Sequence, residues 1–299
     1  FSQCCSDPWR DQMENEMLRE QALHPEIDFK ILNANNNSET QIEQIRQLVR
    51  EGVNLLIVSP NESKPLTKII DSIYNTGLPV ILVDRKSESN AFSAFIGGNN
   101  VEIGKIAASY LKTLHPSGAK VLEMQLSLSI TPAIERSQGF TAEFTDNTTH
   151  RIIQTLELDQ SVDSFKLEFY KILNTQPEIN SIFAHSDFLA HQASSWLKEM
   201  PWSRSITIVG VDGLPGEGNG IDLVENEDIH ASLLYPTGGS ESILTALSIL
   251  NHLPYEKINK LNTIVINKSN ARTVHMQFKK IENLQESIDK QVGLISSLQ

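Results

Sequence analysis

Short apolar runs alternate with amphipathic stretches of helical length along most of the chain. This alternation is typical of βαβ units, in which strands form a mainly parallel sheet and helices cover it. Most of the runs are apolar on both faces, as expected for a sheet with helices on both sides. The predicted strands are Phe29–Leu32, Asn54–Val58, Val80–Val83, Ala94–Ile96, Lys120–Gln125, Ile152–Leu156, Ser181–Ala184, Ile206–Val211 and His230–Leu234.

The stretches between the strands carry helix periodicity and helix stop signals. In the segment Thr40–Glu51, the residues Ile42, Ile45 and Leu48 share one face, and Gly52 ends the helix. The other predicted helices are Lys64–Asn75, Val101–Leu114, Pro132–Phe144, Asp163–Asn174, Phe188–Lys198 and Gly239–His252. The pattern therefore predicts an α/β fold.

The length of 299 residues favours two lobes of about 100 to 150 residues each. We predict passages between the lobes at 115–118, where Pro116 and Gly118 end a helix, at 235–239 and near 267–271. The predicted N-terminal lobe is 1–114 with 239–268, the C-terminal lobe is 115–238 with 269–275, and a signalling helix is 276–299. Three connecting strands of this kind act as a hinge between two Rossmann-like lobes.

The last stretch differs from the rest of the sequence. Its apolar residues fit alternating a and d positions of a heptad, with Gln285 as the one polar exception. These residues are Phe278, Ile281, Ile288, Val292 and Ile295. The pattern predicts either a terminal helix packed on its own lobe, or a signalling helix that continues toward a membrane span or pairs with a second copy of the chain.

Composition and charge exclude several classes of partner. Hydrophobic residues make up 39% of the chain and charged residues 21%, which is ordinary for a globular protein. The net charge of -12 repels phosphate backbones, and the basic residues are scattered, so we expect no nucleic-acid partner. No apolar run is long enough to span a bilayer. The chain opens on Phe1-Ser2-Gln3, which resembles the end of a strand, so we expect flanking segments, and membrane contact only through them.

No pattern for a metal, a cofactor or catalysis is found in the sequence. The two cysteines, Cys4 and Cys5, are adjacent, and we expect them to be small apolar loop residues that can join only through a strained vicinal disulfide. The histidines do not fall at ligand spacings, so we predict no metal site. The spaced glycines at Gly216, Gly218 and Gly220 lack the helix that a dinucleotide site requires, so we predict no cofactor.

Polar residues follow several apolar runs directly, at the strand ends where open α/β sheets bind their ligands. Asp84 and Arg85 follow one run, Ser186 and Asp187 follow a second, and Asp212 ends a third. Carboxylates and guanidinium groups suit a sugar, because a planar group bonds two neighbouring hydroxyls at once. A single such aspartate is as well explained as a helix cap. It is the set of them that points to a sugar site.

A series of short motifs resembles the ribose-binding family of type 1 periplasmic binding proteins and the related effector domains of the lactose-repressor family. The motifs are Leu82-Val83-Asp84-Arg85, Ile96-Gly97-Gly98-Asn99-Asn100 with Gly104, Glu135-Arg136-Ser137-Gln138-Gly139-Phe140, Phe183-Ala184-His185-Ser186-Asp187 and Val209-Gly210-Val211-Asp212-Gly213. The resemblance extends to about Ala271. It implies the two-lobed fold and a domain that binds a ligand without catalysing a reaction.

The resemblance also implies a set of ligand-binding residues. Those whose positions match the family's sugar contacts are Asp84, Arg85, Arg136 and Asp212, and Asp7 and Trp9 stand where the family has a polar contact and a stacking ring. Three positions depart from the family pattern. Ser186, before Asp187, replaces an asparagine; an aromatic ring is replaced near Gln160; and Tyr235 stands where the family has a hinge glutamine.

Several functions are compatible with these residues. We expect the extracytoplasmic, periplasmic sensor domain of a hybrid two-component histidine kinase that binds a monosaccharide, with fructose or a related ketohexose or pentose as the ligand. The heptad pattern favours this function and a homodimer through the C-terminal helix. The alternative is a free or lipid-anchored sugar-binding protein of a transporter. The effector core of a repressor and an enzyme of the same fold are further alternatives.

Overall fold

The computed structural model describes residues 1–144, 149–158, 161–201 and 204–296, with side chains in the last helix described as far as residue 284. Its strands are β1 (Ser2–Gln3), β2 (Leu32–Asn33), β3 (Leu56–Val58), β4 (Val80–Val83), β5 (Ala94–Gly98), β6 (Lys120–Gln125), β7 (Arg151–Glu157), β8 (Ser181–Ala184), β9 (Thr207–Asp212), β10 (Ala231–Leu234), β11 (Ile258–Leu261) and β12 (Val265–Asn267). Its helices are α1 (Pro8–Ala22), α2 (Ser38–Arg50), α3 (Ser63–Tyr74), α4 (Asn100–Leu114), α5 (Thr131–Ala142), α6 (Val162–Thr175), α7 (Asp187–Glu199), α8 (Gly220–Glu225), α9 (Gly239–Leu250) and α10 (Ala271–Ser296).

The strands form two six-stranded sheets, one in each lobe. The first has the order β11-β5-β4-β3-β1-β2, and its strands are parallel. The second has the order β12-β10-β9-β8-β6-β7, and it is parallel except for the antiparallel pair of β10 and β12. The predicted α/β class with two Rossmann-like lobes is confirmed. Parallel order places the carboxyl ends of the main strands at one edge of each sheet.

Helices cover both faces of the first sheet, as the apolar runs predict. Leu82 of β4 packs into the cluster formed with α2 and α3. Its neighbours Ile81 and Val83 point the other way and pack with Met13 and Met17 of α1. Successive side chains of a strand point to opposite faces, so a strand buried on both faces is apolar throughout.

Short polar side chains start four of the helices by accepting a backbone N–H that has no partner within the helix. These capping residues are Asp7 for α1, Asn37 for α2, Ser161 for α6 and Ser186 for α7. Two of the four, Asp7 and Ser186, are also predicted ligand-binding residues. Their side chains therefore have a structural task at the positions where the helices begin.

Most predicted elements match the structure, and the omissions have clear causes. The strands 80–83, 120–125 and 181–184 have the predicted bounds, whereas the predicted strand Phe29–Leu32 is only Leu32–Asn33. The helix α1 escaped prediction because only Trp9, Met13 and Met17 form its apolar face among many polar residues. The strands β11 and β12 are short, and apart from the buried Ile266 their residues are exposed or half-exposed, so they lack a clear strand signal.

The first passage between the lobes precedes α4 and does not follow it, which differs from the predicted boundary at 114. The helix α4 packs closely on α5 of the second lobe: a Cβ atom at Gly139 would lie 1.9 Å from the carbonyl oxygen of Val101. On the α4 side of the same contact, a Cβ atom at Gly104 would lie 2.1 Å from the carbonyl oxygen of Arg136 in α5. The chain therefore crosses near Asn99, and α4 belongs with the second lobe.

The third passage also comes earlier than predicted. The strand β12 pairs with β10 in the second sheet, with Ser232 opposite Ile266, whereas β11 pairs with β5 in the first sheet. The crossing therefore lies at 262–264, and the predicted assignment of residues up to 268 to the first lobe is wrong. The third passage was misplaced because the sequence did not predict β11 and β12, the two strands on either side of it. The second passage lies between β10 and α9, within the predicted segment 235–239.

The C-terminal helix α10 begins on the second lobe and extends away from it. Ala271 and Val274 are buried in the core of that lobe, and Phe278 packs against it. Ile281 and Leu284 are more than half exposed. The side chains of Gln285, Ile288, Val292 and Ile295 and the residues 297–299 lie outside the part that the structure describes. Within the described residues, no helix has the length and apolar character needed to cross a membrane.

Candidate ligand-binding site

A cavity of about 720 Å³ lies between the two lobes. Its wall contains residues from the ends of β4, β8, β9 and β10 and from the loop before α1. The structure places all nine predicted ligand-binding residues on this wall: Asp7, Trp9, Asp84, Arg85, Arg136, Ser186, Asp187, Asp212 and Tyr235. Gln160, where we expected an aromatic ring to be replaced, lies outside the described residues.

Asp84 stands at the centre of the charged groups contributed by the first lobe. Its side chain is 2% exposed, and its Oδ2 accepts a hydrogen bond from Arg10 Nη2 at 2.7 Å. Its Oδ1 accepts one from the Tyr235 hydroxyl at 2.7 Å. The backbone of Asp84 has a φ of 65°, in the left-handed region that non-glycine residues rarely adopt. This unusual turn at the end of β4 directs the carboxylate to its two partners.

Tyr235 connects the lobes at the second passage and packs on Trp9. The two rings stack with centroids 4.8 Å apart and planes 20° from parallel. Trp9 Nε1 also donates to the carbonyl oxygen of Tyr235 at 2.7 Å. The ring of Tyr235 lies against Gly98, where a Cβ atom would be 2.3 Å from a ring carbon. The aromatic wall of the cavity therefore depends on a residue without a side chain at position 98.

Arg136 is the main buried cation contributed by the second lobe. It is 2% exposed, its Nε donates to Asn100 Oδ1 at 2.8 Å, and Nη1 donates to the carbonyl oxygen of His185. Its guanidinium carbon lies 4.3 Å from the centroid of the Tyr235 ring. Asn100 Nδ2 in turn donates to the Tyr235 hydroxyl at 3.1 Å. A continuous polar network thus runs from Arg10 through Asp84, Tyr235 and Asn100 to Arg136.

Three other predicted residues have part of their bonding capacity occupied within the protein. Arg85 donates from Nη1 to the carbonyl oxygen of Asn61 at 2.7 Å, and its buried Nε has no hydrogen-bond partner. Asp7 caps α1 and pairs with Arg10 at 2.6 Å. The Ser186 hydroxyl caps α7. Each of them lines the cavity, and Arg85 Nε also lies 3.6 Å from Asp84 Oδ2, in an ion pair with that carboxylate.

Asp187 and Asp212 form a close acidic pair at the ends of two neighbouring strands. Asp187 is buried, and its carboxylate accepts hydrogen bonds from the Gly213 N–H and the Ser232 hydroxyl. Asp212 Oδ2 accepts from the Asp187 N–H at 3.3 Å. Burial raises the pKa of Asp187 to about 6. Burial, and then the charge of Asp187, raise the pKa of Asp212 well above its usual value.

The comparison with family models decides which family the chain belongs to. Residues 3–250 match the model of the periplasmic binding protein domain. This chain belongs to that family. The periplasmic binding protein family consists of ligand-binding modules, and the cavity between the lobes of this member contains hydrogen-bonding and stacking groups that suit binding.

Individual relatives extend the comparison. The chain is 27% identical over 184 residues to the ribose import binding protein of Bacillus subtilis; the match covers 61% of this chain and 59% of that relative. The chain therefore spans about three fifths of that relative's length. The fructose-binding periplasmic domain of a hybrid two-component system superposes with a TM-score of 0.92 at 34% identity, covering 97% of each chain. The arabinose-binding component from Shewanella superposes with a TM-score of 0.83 at 22% identity, covering 96% of this chain and 97% of that one.

Several residues on the wall of this periplasmic binding protein domain were not predicted. The most important is Arg10, which bonds both Asp7 and Asp84; its signal is the position one turn after the capping residue Asp7. Asn100 is not on the wall but bonds Arg136 and Tyr235; it lies in the motif that begins at Ile96 and was given no role. Further wall residues without a predicted role are Asn36, Asn61, Glu62, Phe188 and His191.

One group of metal-ligating side chains lies within the described residues of this domain, away from the cavity. The ligand atoms of Asp222, Glu225 and His275 lie within 4.8 Å of one another. All three have partners within the protein: Asp222 Oδ1 accepts the Gly216 N–H, and His275 Nδ1 and Glu225 contact each other at 3.0 Å. These contacts account for the cluster as a link between α8 and α10, so we assign no metal to it.

The acidic pair of this domain predicts a pH dependence of stability. The folded state holds protons on Asp187 and Asp212 more tightly than the unfolded chain does, whose aspartates titrate near a pKa of about 3.9. Stability of the ligand-free domain should therefore fall as the pH rises from about 4 through 6. We expect Asp212→Asn to be more stable than the wild type at pH 7 and equally stable near pH 4.

Urea unfolding at the two pH values measures this effect. The exposed Asp163, on α6 of the same lobe, supplies the control Asp163→Asn, which should show no such difference between the two pH values. An Asp212→Asn variant whose stability relative to the wild type is the same at pH 4 and pH 7 contradicts the assignment of raised pKa values to this pair.

Proposed function

We propose that this domain binds a monosaccharide in the cavity between its lobes, and that fructose is the ligand. The observation that carries the proposal is the network from Arg10 through Asp84, Tyr235 and Asn100 to Arg136, beside the stacked ring of Trp9. A sugar needs planar, charged hydrogen-bonding groups for neighbouring hydroxyls and an apolar surface for its C–H face. The network supplies the first, and the aromatic wall supplies the second.

The relatives support this class of ligand. A fructose-binding periplasmic domain resembles this chain over 97% of its length at 34% identity, which favours fructose. A ribose import binding protein is a more distant relative, at 27% identity over 61% of the chain. Ribose is therefore the second sugar to test. Both are small sugars that present several adjacent hydroxyl groups to planar partners.

Ligand binding is proposed to close the two lobes about the three connecting segments. Asp84 belongs to the first lobe and Arg136 to the second, so a ligand that contacts both is bound best when the lobes are closed. Such a ligand shifts the population toward the closed state by its differential affinity for that state. The connecting residue Tyr235 contacts both sides, through Asp84 and through Arg136.

A screen by thermal unfolding tests the ligand class. We expect fructose at a concentration well above its dissociation constant to raise the Tm by several degrees, because it binds only the folded state. The panel should include ribose, glucose, galactose and short oligosaccharides. A Tm shift with ribose alone would replace fructose by ribose as the ligand, and no shift with any sugar would contradict the proposed function.

We further propose that the domain is the periplasmic sensor of a two-component histidine kinase and not a transport receptor. The helix α10 supports this, since it is rooted in the second lobe by Ala271 and Val274 and extends to Ser296. Movement of that lobe on ligand binding would move the helix. Met276, Ile281 and Leu284 expose apolar surface on it, which suits pairing with a second copy.

Removal of the helix from the full-length protein tests the signalling role. We expect a deletion of residues 278–299 to abolish the sugar-dependent response while ligand binding by the isolated domain persists. A response that survives the deletion would exclude signalling through α10. A full-length gene product without a kinase domain would favour the transport receptor.

A further inference from the structure

The two cysteines of the chain touch through their sulfur atoms at one wall of the ligand cavity. Cys4 and Cys5 follow β1 directly and are both buried. Their Sγ atoms are 2.9 Å apart. Cys5 lines the cavity, at the start of the loop that leads to Asp7 and Trp9. The pair therefore lies in the segment that provides the first lobe's contacts to the proposed ligand.

The pair is bonded to the central charged network through Arg10. Arg10 Nε donates to Cys4 Sγ at 3.0 Å, while its two terminal nitrogens bind Asp7 and Asp84 at 2.6 and 2.7 Å. One guanidinium is thus shared by a thiol and by two carboxylates of the site. A change in the charge of Cys4 must change the set of partners that orients Arg10.

The environment favours one thiolate and one thiol. The hydrogen bond from Cys5 lowers the pKa of Cys4 to about 5, and the positive charges of Arg10 and Arg85 act in the same direction, while burial and Asp84 oppose it. The same hydrogen bond, together with burial, raises the pKa of Cys5. A thiolate is the nucleophilic form of cysteine, so Cys4 is activated and Cys5 stands beside it as the second thiol.

We propose that Cys4 and Cys5 are an oxidative modification site, at which a small peroxide converts the dithiol to a vicinal disulfide. The Cys4 thiolate attacks one oxygen of hydrogen peroxide, the O–O bond breaks, and hydroxide leaves and takes up a proton to become water. The Cys5 thiol then loses its proton and attacks Cys4 Sγ. The S–O bond breaks, and hydroxide leaves as a second water. Two thiols and one peroxide thus give one disulfide and two waters.

A small oxidant has a route to the pair. Both partners of the Cys4 sulfur, Cys5 and Arg10, line the cavity, whereas Cys4 itself is fully buried. A peroxide that enters the cavity therefore reaches the Cys4 sulfur by passing between these two side chains. A ligand that fills the cavity blocks this route. The disulfide between adjacent residues is strained and hence readily reduced by thiols, so the modification is reversible.

Oxidation is expected to weaken ligand binding, and this step rests on the proposed function. A disulfide sulfur is uncharged, so Arg10 loses the thiolate acceptor of its Nε and keeps only Asp7 and Asp84. The loss of this charged acceptor makes the orientation of Arg10 less well fixed, and the affinity is expected to fall about tenfold, which corresponds to about 1.4 kcal/mol.

Mass spectrometry and thiol titration of the reduced protein after exposure to hydrogen peroxide test the chemistry without any ligand. We expect both thiols to disappear together, the protein to become about 2 Da lighter, and dithiothreitol to restore both thiols. Two thiols that survive the treatment, or a protein that gains oxygen without losing hydrogen, would overturn the proposal.

Two variants separate the roles of the cysteines. In Cys5→Ser, oxidised Cys4 has no second thiol, so the protein should become heavier by about 16 or 32 Da instead of lighter. In Cys4→Ser, the remaining thiol of Cys5 lacks the hydrogen bond that Arg10 Nε donates to Cys4, so it should be oxidised more slowly than the wild type. Oxidation of Cys5 in the second variant at the wild-type rate would contradict activation of Cys4.

Calorimetric titration of fructose into the reduced and the oxidised protein tests the consequence for binding. We expect about a tenfold weaker affinity after oxidation and slower oxidation when fructose is bound. Equal affinity in the two states would overturn the link to the ligand site. If neither state binds fructose, the proposed function fails, whereas the change in mass still decides the proposal on the cysteines.

Discussion

Arg136→Ala is expected to lower the affinity for the ligand about 100-fold or more while the domain stays folded. The guanidinium is buried, lies over the Tyr235 ring and is held by Asn100 and by the carbonyl oxygen of His185. It is therefore fixed in the cavity wall before the ligand arrives. Truncation of one partner of a buried, charged hydrogen bond costs about 2 to 5 kcal/mol, and about 3 kcal/mol corresponds to more than 100-fold in the dissociation constant.

Calorimetry of the wild type and the variant measures this loss. Arg50, which is exposed on α2, provides the control Arg50→Ala, whose affinity should equal that of the wild type. Circular dichroism and the Tm establish that each variant is folded. A folded Arg136→Ala variant that binds with unchanged affinity would remove Arg136 from the ligand-binding site.

Asp84→Ala is expected to destabilise the domain by about 3 to 5 kcal/mol, in addition to abolishing binding. Arg10 is 8% exposed and would lose a buried carboxylate partner, and the Tyr235 hydroxyl would lose its acceptor. Breaking this buried pair leaves Arg10 with Asp7, whose side chain is 41% exposed, as its remaining carboxylate partner, and the loss of a buried partner costs more than the pair itself contributes. Asp84 is therefore expected to stabilise the folded cavity wall as well as to bind the ligand.

Urea unfolding of the ligand-free variants at one pH tests this effect. Asp7→Ala is the matched control, because Asp7 also pairs with Arg10, but its side chain is 41% exposed. Removal of Asp7 should cost only about 1 kcal/mol, mainly through the lost cap of α1. Equal losses of unfolding free energy in the two variants would contradict the expectation that the buried Asp84 contributes more to stability than the exposed Asp7.

Much of the fold could be predicted from the sequence, because strands buried on both faces of a parallel sheet are apolar along their whole length. Runs such as Val80–Val83 are apolar throughout, and their bounds in the structure are the predicted ones. The passages between the lobes have no comparable sequence pattern. The helix α4 has the same periodicity whichever lobe it covers, and its packing on α5 depends on close contact at Gly139, which appears only in three dimensions.

Some residues of the candidate site could likewise be predicted from the sequence, and others could not. The positions Asp84, Asp187 and Asp212 could be found because they end strands, and the structure places them on one cavity wall. Arg10 could not be found from the sequence, because it lies on a mostly polar helix with few apolar residues. Its importance comes from contacts across the fold to Asp84, 74 positions later in the chain. Sequence patterns indicate strand ends, but not which distant charges pair there.

Isothermal titration of fructose into the reduced domain at neutral pH is the decisive experiment on the cavity as a sugar site. We expect saturable binding of one fructose per domain, with a dissociation constant in the micromolar range or tighter, and loss of that binding in Arg136→Ala. The absence of saturable binding to fructose and to the other monosaccharides of the panel would contradict the assignment of the cavity as a sugar site.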